Sequence, residues 1–375
     1  MNKTFSLYLD FVRFLAALTV LLFHAAGFEF MKVDTGFGHY GREAVIVFFV
    51  LSGFVIAYTA DQKDRMLPEY AIHRISRIYS VVLPALLLTA IVDRFGITIH
   101  PEFYIEHDAQ SLWPIRLIIS VLCLNEWGFW SVQFFSNVPY WSISYEVTYY
   151  ILFAVSFYLR GSTSLLLILI FGVLAGPRIL LLLPVWMLGV WVYRSQWLAE
   201  MSRGTAVVAI VGSCVGWVIV VDGGWAGQVG HWLSNLIGAK LWRIGLGWSR
   251  FFLTDYLVGI IVAINFSAVR VIVANVTVSS LPFVRGIRLL SLLTFPLYLF
   301  HQPLLLFFAS VSPPQLSDGT RSTFVIAATL AVVTILTPLC EFLRGRMRLF
   351  LTYLFQLARA RWSVHSFFEA RSAPD

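Results

Sequence analysis

Ten apolar runs, most of them long enough to cross a lipid bilayer, divide this chain and restrict it to one kind of fold. A helix needs about 20 apolar residues to traverse the hydrocarbon core. The runs fall at 7–30, 44–60, 76–96, 144–160, 163–176, 179–193, 205–221, 250–267, 288–310 and 322–342. Only 13% of the 375 residues are charged, about half the usual share of a soluble domain, and the mean hydropathy is +0.79. A water-soluble globule has no interior for so much apolar surface. A disordered chain and a secreted disulfide scaffold are excluded on the same ground. The expected fold class is all-α, a polytopic transmembrane helix bundle of about ten spans.

An eleventh apolar run, 112–124, is short and contains Pro114 and Arg116. It leads into Asn125, Glu126 and an aromatic stretch ending at Pro139-Tyr140-Trp141. The segment 112–140 reads as a re-entrant or membrane-edge element, which is tolerated where protein buries its backbone. Charge supports that choice. With ten spans and the N-terminus inside, 17 of the 27 Lys and Arg residues lie on the inner side and 9 on the outer, with Arg13 within a span. A crossing at 112–124 reverses the balance to 10 inside and 16 outside, against the enrichment of cations in cytoplasmic loops. Most of the difference comes from the tail, with Arg344, Arg346, Arg348, Arg359, Arg361 and Arg371.

The expected organisation is one membrane-embedded unit, 1–343, followed by a basic cytoplasmic tail, 344–375. Arg mixed with Leu349, Phe350, Leu354 and Phe355 predicts an amphipathic tail helix on the inner leaflet. The first span holds Arg13 and His24 with no small-residue cleavage site after it, so it reads as retained rather than as a signal peptide. Three scattered cysteines, Cys123, Cys214 and Cys340, suit packing better than a disulfide framework or zinc site. The net charge of +7 follows from the inner-loop cations, and no nucleic-acid partner is expected.

Ionisable groups inside spans cost about 2.5–3.5 kcal/mol each at a helix centre, which makes each a functional candidate. The first span carries Asp10, Arg13 and His24. At 100° per residue, Arg13 and His24 return to within about 20° of one face, about 16 Å apart along the axis. Asp10 lies within about 60° of both. The plain alternative is a buried Asp10–Arg13 pair and a histidine satisfied between helices. Arg74 and Arg77 sit three apart before the third span, neighbours on a helix. Two guanidinium forks there can grip phosphate, or they can serve only as inner-side charge with Lys63 and Arg65. Glu146, in Trp141-Ser142-Ile143-Ser144-Tyr145-Glu146, needs a partner at membrane depth, and His24 is expected at a similar depth. His301 stands mid-span in Pro296-Leu297-Tyr298-Leu299-Phe300-His301-Gln302-Pro303. Asp255 in the eighth span is a weaker candidate. The loop from His100 to Asp108 is acidic and mimics a metal cluster, but reads as a solvated surface; no metal site is expected.

With these residues assembled, the chain resembles the acyltransferase-3 family of integral membrane O-acyltransferases. Residues Tyr8–Ala17 through His24 match its first helix, with a basic residue, ten positions and a histidine. Val47–Phe54, with Ser52, matches the second helix, Arg74-x-x-Arg77 a double-arginine motif, and Trp141–Glu146 a Trp-Ser element. Tyr298–Pro303 is similar to a late-helix motif. A second acidic residue common after the Trp-Ser element is replaced by Val147. The resemblance implies transfer of an acyl group, usually acetyl, from cytoplasmic acyl-CoA to a hydroxyl of a surface or exported polysaccharide or glycolipid, as in lipopolysaccharide modification, at a bacterial cytoplasmic membrane. Acyl-CoA is then a co-substrate and no tightly bound cofactor is needed. The implied roles are His24 and Glu146 in catalysis, Arg13, Arg74 and Arg77 on acyl-CoA, and Asp10, Ser52, Trp141, Ser142 and His301 in support. His24 acts as general base or as transient acyl carrier, with Glu146 orienting it. The rival reading of the same polar stripe is a proton-coupled small-molecule transporter, which the absence of an internal repeat disfavours.

Overall fold

The structure, a computed structural model, describes residues 2–28, 39–107, 111–278 and 280–372, with side chains as far as 359. Among these residues there is no β-strand. Helices α1 (Lys3–Gly27), α2 (Gly41–Gln62) and α3 (Leu67–Ile99) form the first three passages. A 3-10 turn (Pro101–His107) leads to the short α4 (Trp113–Val121), and then come α5 (Trp141–Tyr158) and α6 (Gly161–Arg194). Beyond them lie α7 (Gln196–Ala199), α8 (Arg203–Trp217), α9 (Trp225–Ile237), α10 (Phe252–Ile272), α11 (Leu281–Ser310) and α12 (Asp318–Ser372). Eight of these segments are long and apolar enough to cross a membrane: α1, α2, α3, α6, α8 with its π-helical extension to Asp222, α10, α11 and α12.

The remaining two passages of the sequence reading have local explanations. Helix α5 is 18 residues long and its first turns carry Ser142, Ser144, Glu146 and Thr148, which dilute its hydropathy. Helix α6 holds two passages in one, because it breaks at Gly176, where φ is 82° and ψ 173°. Ser164 Oγ donates to Val155 O at 3.0 Å, so α6 starts beside the end of α5. Ala175 O accepts from Gly128 N at 2.9 Å, and beyond the break Trp186 packs on Phe153. The second half therefore runs parallel to α5 and the first half antiparallel to it. Only glycine fits this reversal: the φ is left-handed, and a Cβ on Gly176 would lie 2.7 Å from Gly128 O.

The end of the bundle where α1 starts is basic. Asn2 caps α1 by accepting from Thr4 N at 3.1 Å and reaches Val273 O beyond the end of α10. Arg288 at the start of α11 pairs with Asp10, and Tyr193 at the end of α6 donates to Asp61 at 2.6 Å. At the far end, Arg42 joins Asp255 (2.9 Å) and Glu43 (2.5 Å), which gives the two carboxylates a structural role.

Helix α4 enters and leaves at the far end. Its Trp113 ring lies 5.7 Å from the Arg94 guanidinium carbon, while Val121 O accepts from Tyr79 OH at 2.9 Å. Arg94 and Tyr79 are about 22 Å apart along α3, so α4 dips to mid-depth. The chain then climbs back, with Asp93 accepting from Ser136 N (2.8 Å) and Oγ (2.9 Å). This is the re-entrant element expected at 112–140. The tail helix is continuous with the last span, since α12 runs from Asp318 to Ser372. The side chains of Arg361 and Arg371 lie outside the described residues. Cys123 and Cys340 are buried and Cys214 is exposed, all three as free thiols.

Candidate functional site

Helices α1, α2, α3, α5, α11 and α12 enclose a cavity of about 180 Å³. Arg13, Arg77, Glu341 and Arg344 line the basic end of it, and Glu341 and Arg344 are themselves paired at 2.5 Å. Ser52, Glu146 and Tyr150 line the middle, and Ser142 and Tyr298 its inner end. The layout follows from helix geometry. Arg13 lies about 60° from Asp10 on α1, so with Asp10 tied to Arg288 on α11, and 3.8 Å from Arg13, the α1 guanidinium faces between α1 and α11.

Glu146 accepts from Ser52 Oγ at 3.0 Å and from Tyr150 OH, one turn further along α5. Ser142, one turn before it, shares a 2.8 Å hydrogen bond with Tyr298 OH. The Tyr298 ring lies 6.3 Å from that of His301. His301, with no exposed surface, places Nε2 at 3.1 Å from His24 Nδ1. A polar path thus runs from a guanidinium-lined mouth, past a carboxylate and hydroxyls, to a pair of imidazoles one side chain beyond the cavity wall. Such a path suits a ligand with an anionic head at the basic end and a reactive group held deep.

The structure separates residues that sequence spacing had grouped. Arg77 reaches the cavity but Arg74 does not. Arg74 is buried, donates to Asp64 at 2.9 Å and Thr59 at 3.3 Å, and lies over Tyr70. Asp64 also bonds His73 at 2.5 Å and its carbonyl accepts from Tyr158, so Arg74 ties the α2–α3 turn to α5. Three residues along a helix rotate a side chain by about 60°, so Arg74 bonds Asp64 while Arg77 faces the cavity.

His24 and Glu146 have different partners among the described bonds. Glu146 bonds Ser52 and Tyr150, and His24 bonds His301. Trp141 stacks on Trp248 (5.1 Å, 8°) and lies outside the cavity lining. His100 pairs with Glu102 at 2.7 Å, Asp108 lies outside the described residues, and no group of potential metal ligands occurs among those described.

Four contributors escaped the sequence reading as site residues: Tyr150, Arg288, Glu341 and Arg344. Tyr150 was legible in principle, as the i+4 neighbour of Glu146. Arg344 counted only as tail charge, and Arg288 carried no local signal.

Comparison with known proteins agrees with this architecture. The acyltransferase-domain family Acyl_transf_3 matches residues 6–340. The acyltransferase MdmB of Streptomyces mycarofaciens is 31% identical over 156 residues, covering 38% of this chain and 36% of that protein. The matched region thus spans about a third of the relative's length. No solved structure matches significantly. Since the family match runs from the first helix to the last span and includes every residue of the polar path except Glu341 and Arg344 at its mouth, the chain belongs to the acyltransferase-3 family.

Proposed function

We propose that the protein moves an acyl group, acetyl in the first instance, from acyl-CoA entering at the basic end to a hydroxyl of a polysaccharide or glycolipid. The observation that carries this reading is the continuity between the guanidinium-lined mouth and the imidazole pair. Arg77 and Arg344 hold the CoA phosphates, for which the planar fork is suited. Arg13 lies further in, where the thioester arm passes. His24 serves as general base on the acceptor hydroxyl or as the acyl carrier. In the first case the hydroxyl oxygen bonds to the thioester carbon, the C–S bond breaks, and the proton taken by His24 passes to the CoA sulfur. Glu146, held by Ser52 and Tyr150, balances the charge of Arg13 and Arg77 across the cavity instead of orienting His24. The excess of cations at the basic end supports a cytoplasmic orientation for it, on the side where acyl-CoA is made, with a bacterial cytoplasmic membrane as the setting of this reading.

The test is release of CoA from labelled acetyl-CoA by the purified protein, with label passing to a saccharide acceptor. Release that depends on the protein and rises with acceptor supports the reading, and binding without release contradicts it. The two arginines provide a sharper comparison. Arg77→Ala is expected to raise the KM for acetyl-CoA about tenfold, about the 1.4 kcal/mol of one charged hydrogen bond, and to leave the thermal midpoint unchanged. Arg74→Ala leaves the buried Asp64 with His73 as its remaining side-chain partner, so it is expected to cost about 1–3 kcal/mol of stability with little change in KM. Steady-state kinetics and thermal unfolding in detergent read both effects. The opposite assignment of effects would return Arg74 to the donor site.

A further inference from the structure

The far end of the bundle carries cations that its carboxylates do not neutralise. Lys240, Arg243 and Arg250 line one open hollow together with the rings of Trp242 and Phe251. Arg250 lies over both rings, 5.6 Å from the Trp242 centroid and 5.0 Å from that of Phe251. The Arg42 guanidinium approaches the same Phe251 ring, at 4.8 Å, but Arg42 already holds Glu43 and Asp255. Among the described residues no carboxylate pairs with Lys240, Arg243 or Arg250. The one described hydrogen bond of the Arg250 side chain goes to Gly247 O at 3.4 Å, longer than an ordinary hydrogen bond. Stacking on rings is a sufficient structural reason for Arg250, and exposed cations are cheap in water. Neither explains why three of them meet at one hollow, at the end of the bundle poorer in Lys and Arg.

The surroundings of the hollow are those of a membrane surface. Leu241 and Ile244, on the same short segment, are 53% and 63% exposed, and Trp232 and Leu236 of α9 are 57% and 65% exposed. Open apolar and tryptophan side chains beside cations suit the headgroup level of a bilayer, which is where lipid phosphates lie. We propose that Lys240, Arg243 and Arg250 bind a phosphate group of a membrane lipid at the far end. Two guanidinium forks and an ammonium supply the donors that phosphate oxygens accept, and the two rings hold the Arg250 fork in place. The claim goes beyond the acyl-transfer reading and does not need it. Within that reading, His24 stands near the same end of the bundle, in the last turn of α1, so a phosphate-bearing glycolipid acceptor is the class of lipid such a site would hold there.

Dioctanoyl phosphatidic acid, dioctanoylglycerol and inorganic phosphate, titrated separately into the full-length protein in a maltoside detergent, test the proposal with tryptophan fluorescence as the readout. Wild type is expected to bind phosphatidic acid at least about tenfold more tightly than either other probe, since only it joins phosphate to acyl chains. Lys240→Gln combined with Arg243→Gln alters two exposed side chains and should weaken phosphatidic acid about tenfold or more at an unchanged thermal midpoint. Adding Arg250→Gln should cost about fivefold more, the usual worth of one cation at a lipid surface. Arg160→Gln combined with Arg203→Gln, exposed at the basic end, removes the same charge and should shift the affinity by less than about twofold. Equal affinity for phosphatidic acid and dioctanoylglycerol overturns phosphate recognition. Inorganic phosphate bound as tightly as phosphatidic acid overturns the lipid as its source. Equal losses in the two double variants would reduce the effect to net charge and overturn the site.

Discussion

His24→Ala is expected to lower acyl transfer at least about 1000-fold while the protein still inserts and folds. The magnitude follows from the two contributions an imidazole makes: general acid–base catalysis is worth about 10²–10⁴, and a covalent carrier would lose its entire route. Insertion is spared because alanine is cheaper in a bilayer than a polar ring. His24 is half-buried at the end of α1, so truncating it leaves the α1–α11 contact to Ala25, Leu305 and their neighbours. Expression and thermal midpoint should match wild type, and the loss should fall on kcat. Transfer within about tenfold of wild type by a well-folded His24→Ala protein would remove His24 from the reaction.

Gly53→Val is expected to prevent α2 from packing on the second half of α6, which shapes one wall of the cavity. A Cβ on Gly53 would lie 2.0 Å from Trp186 O, and one on Gly189 would lie 1.9 Å from Val50 O. Backbone opposes each glycine, so no side chain can rotate away. Small residues allow this close approach of helices within a membrane. Overpacking a core commonly costs about 1–3 kcal/mol and occasionally more; with both contacts on backbone, about 3 kcal/mol or more is expected. Gly212→Val is the control, since nothing lies within 4 Å of its Cβ position. Size-exclusion profiles and thermal unfolding should show Gly53→Val largely misfolded and Gly212→Val close to wild type. Equal behaviour of the two would mean that the α2–α6 approach is not a packing constraint.

The spans were legible because a bilayer-crossing helix must be apolar along its whole length, and this holds even where α6 reverses at Gly176. The re-entrant α4 was legible from its short length, from Pro114 and Arg116, and from the charge balance of the tail. Side-chain direction was less legible. Arg74 and Arg77 look equivalent by spacing, yet about 60° of rotation sends one to Asp64 and the other to the cavity. The hydroxyls that hold Glu146 come from Ser52 on α2 and from Tyr150 one turn along α5, and only the second is a neighbour by spacing. His301, which bonds His24, lies on α11, and no periodicity within one helix points across 277 residues to it.

In the proposed reaction the donor enters the cavity through the mouth lined by Arg77 and Arg344 at the basic end, while 126–140 lies at the other end. Single cysteines at Ser131 and Ser202, in a background lacking Cys123, Cys214 and Cys340, mark the two ends for a membrane-impermeant thiol reagent. In sealed vesicles sorted by that labelling, acetyl-CoA is supplied to one side at a time and transfer to acceptor is measured. Transfer is expected only when acetyl-CoA is on the side that labels Ser202→Cys. Transfer driven by acetyl-CoA on the side that labels Ser131→Cys would contradict entry through the arginine-lined mouth and the reaction path built on it.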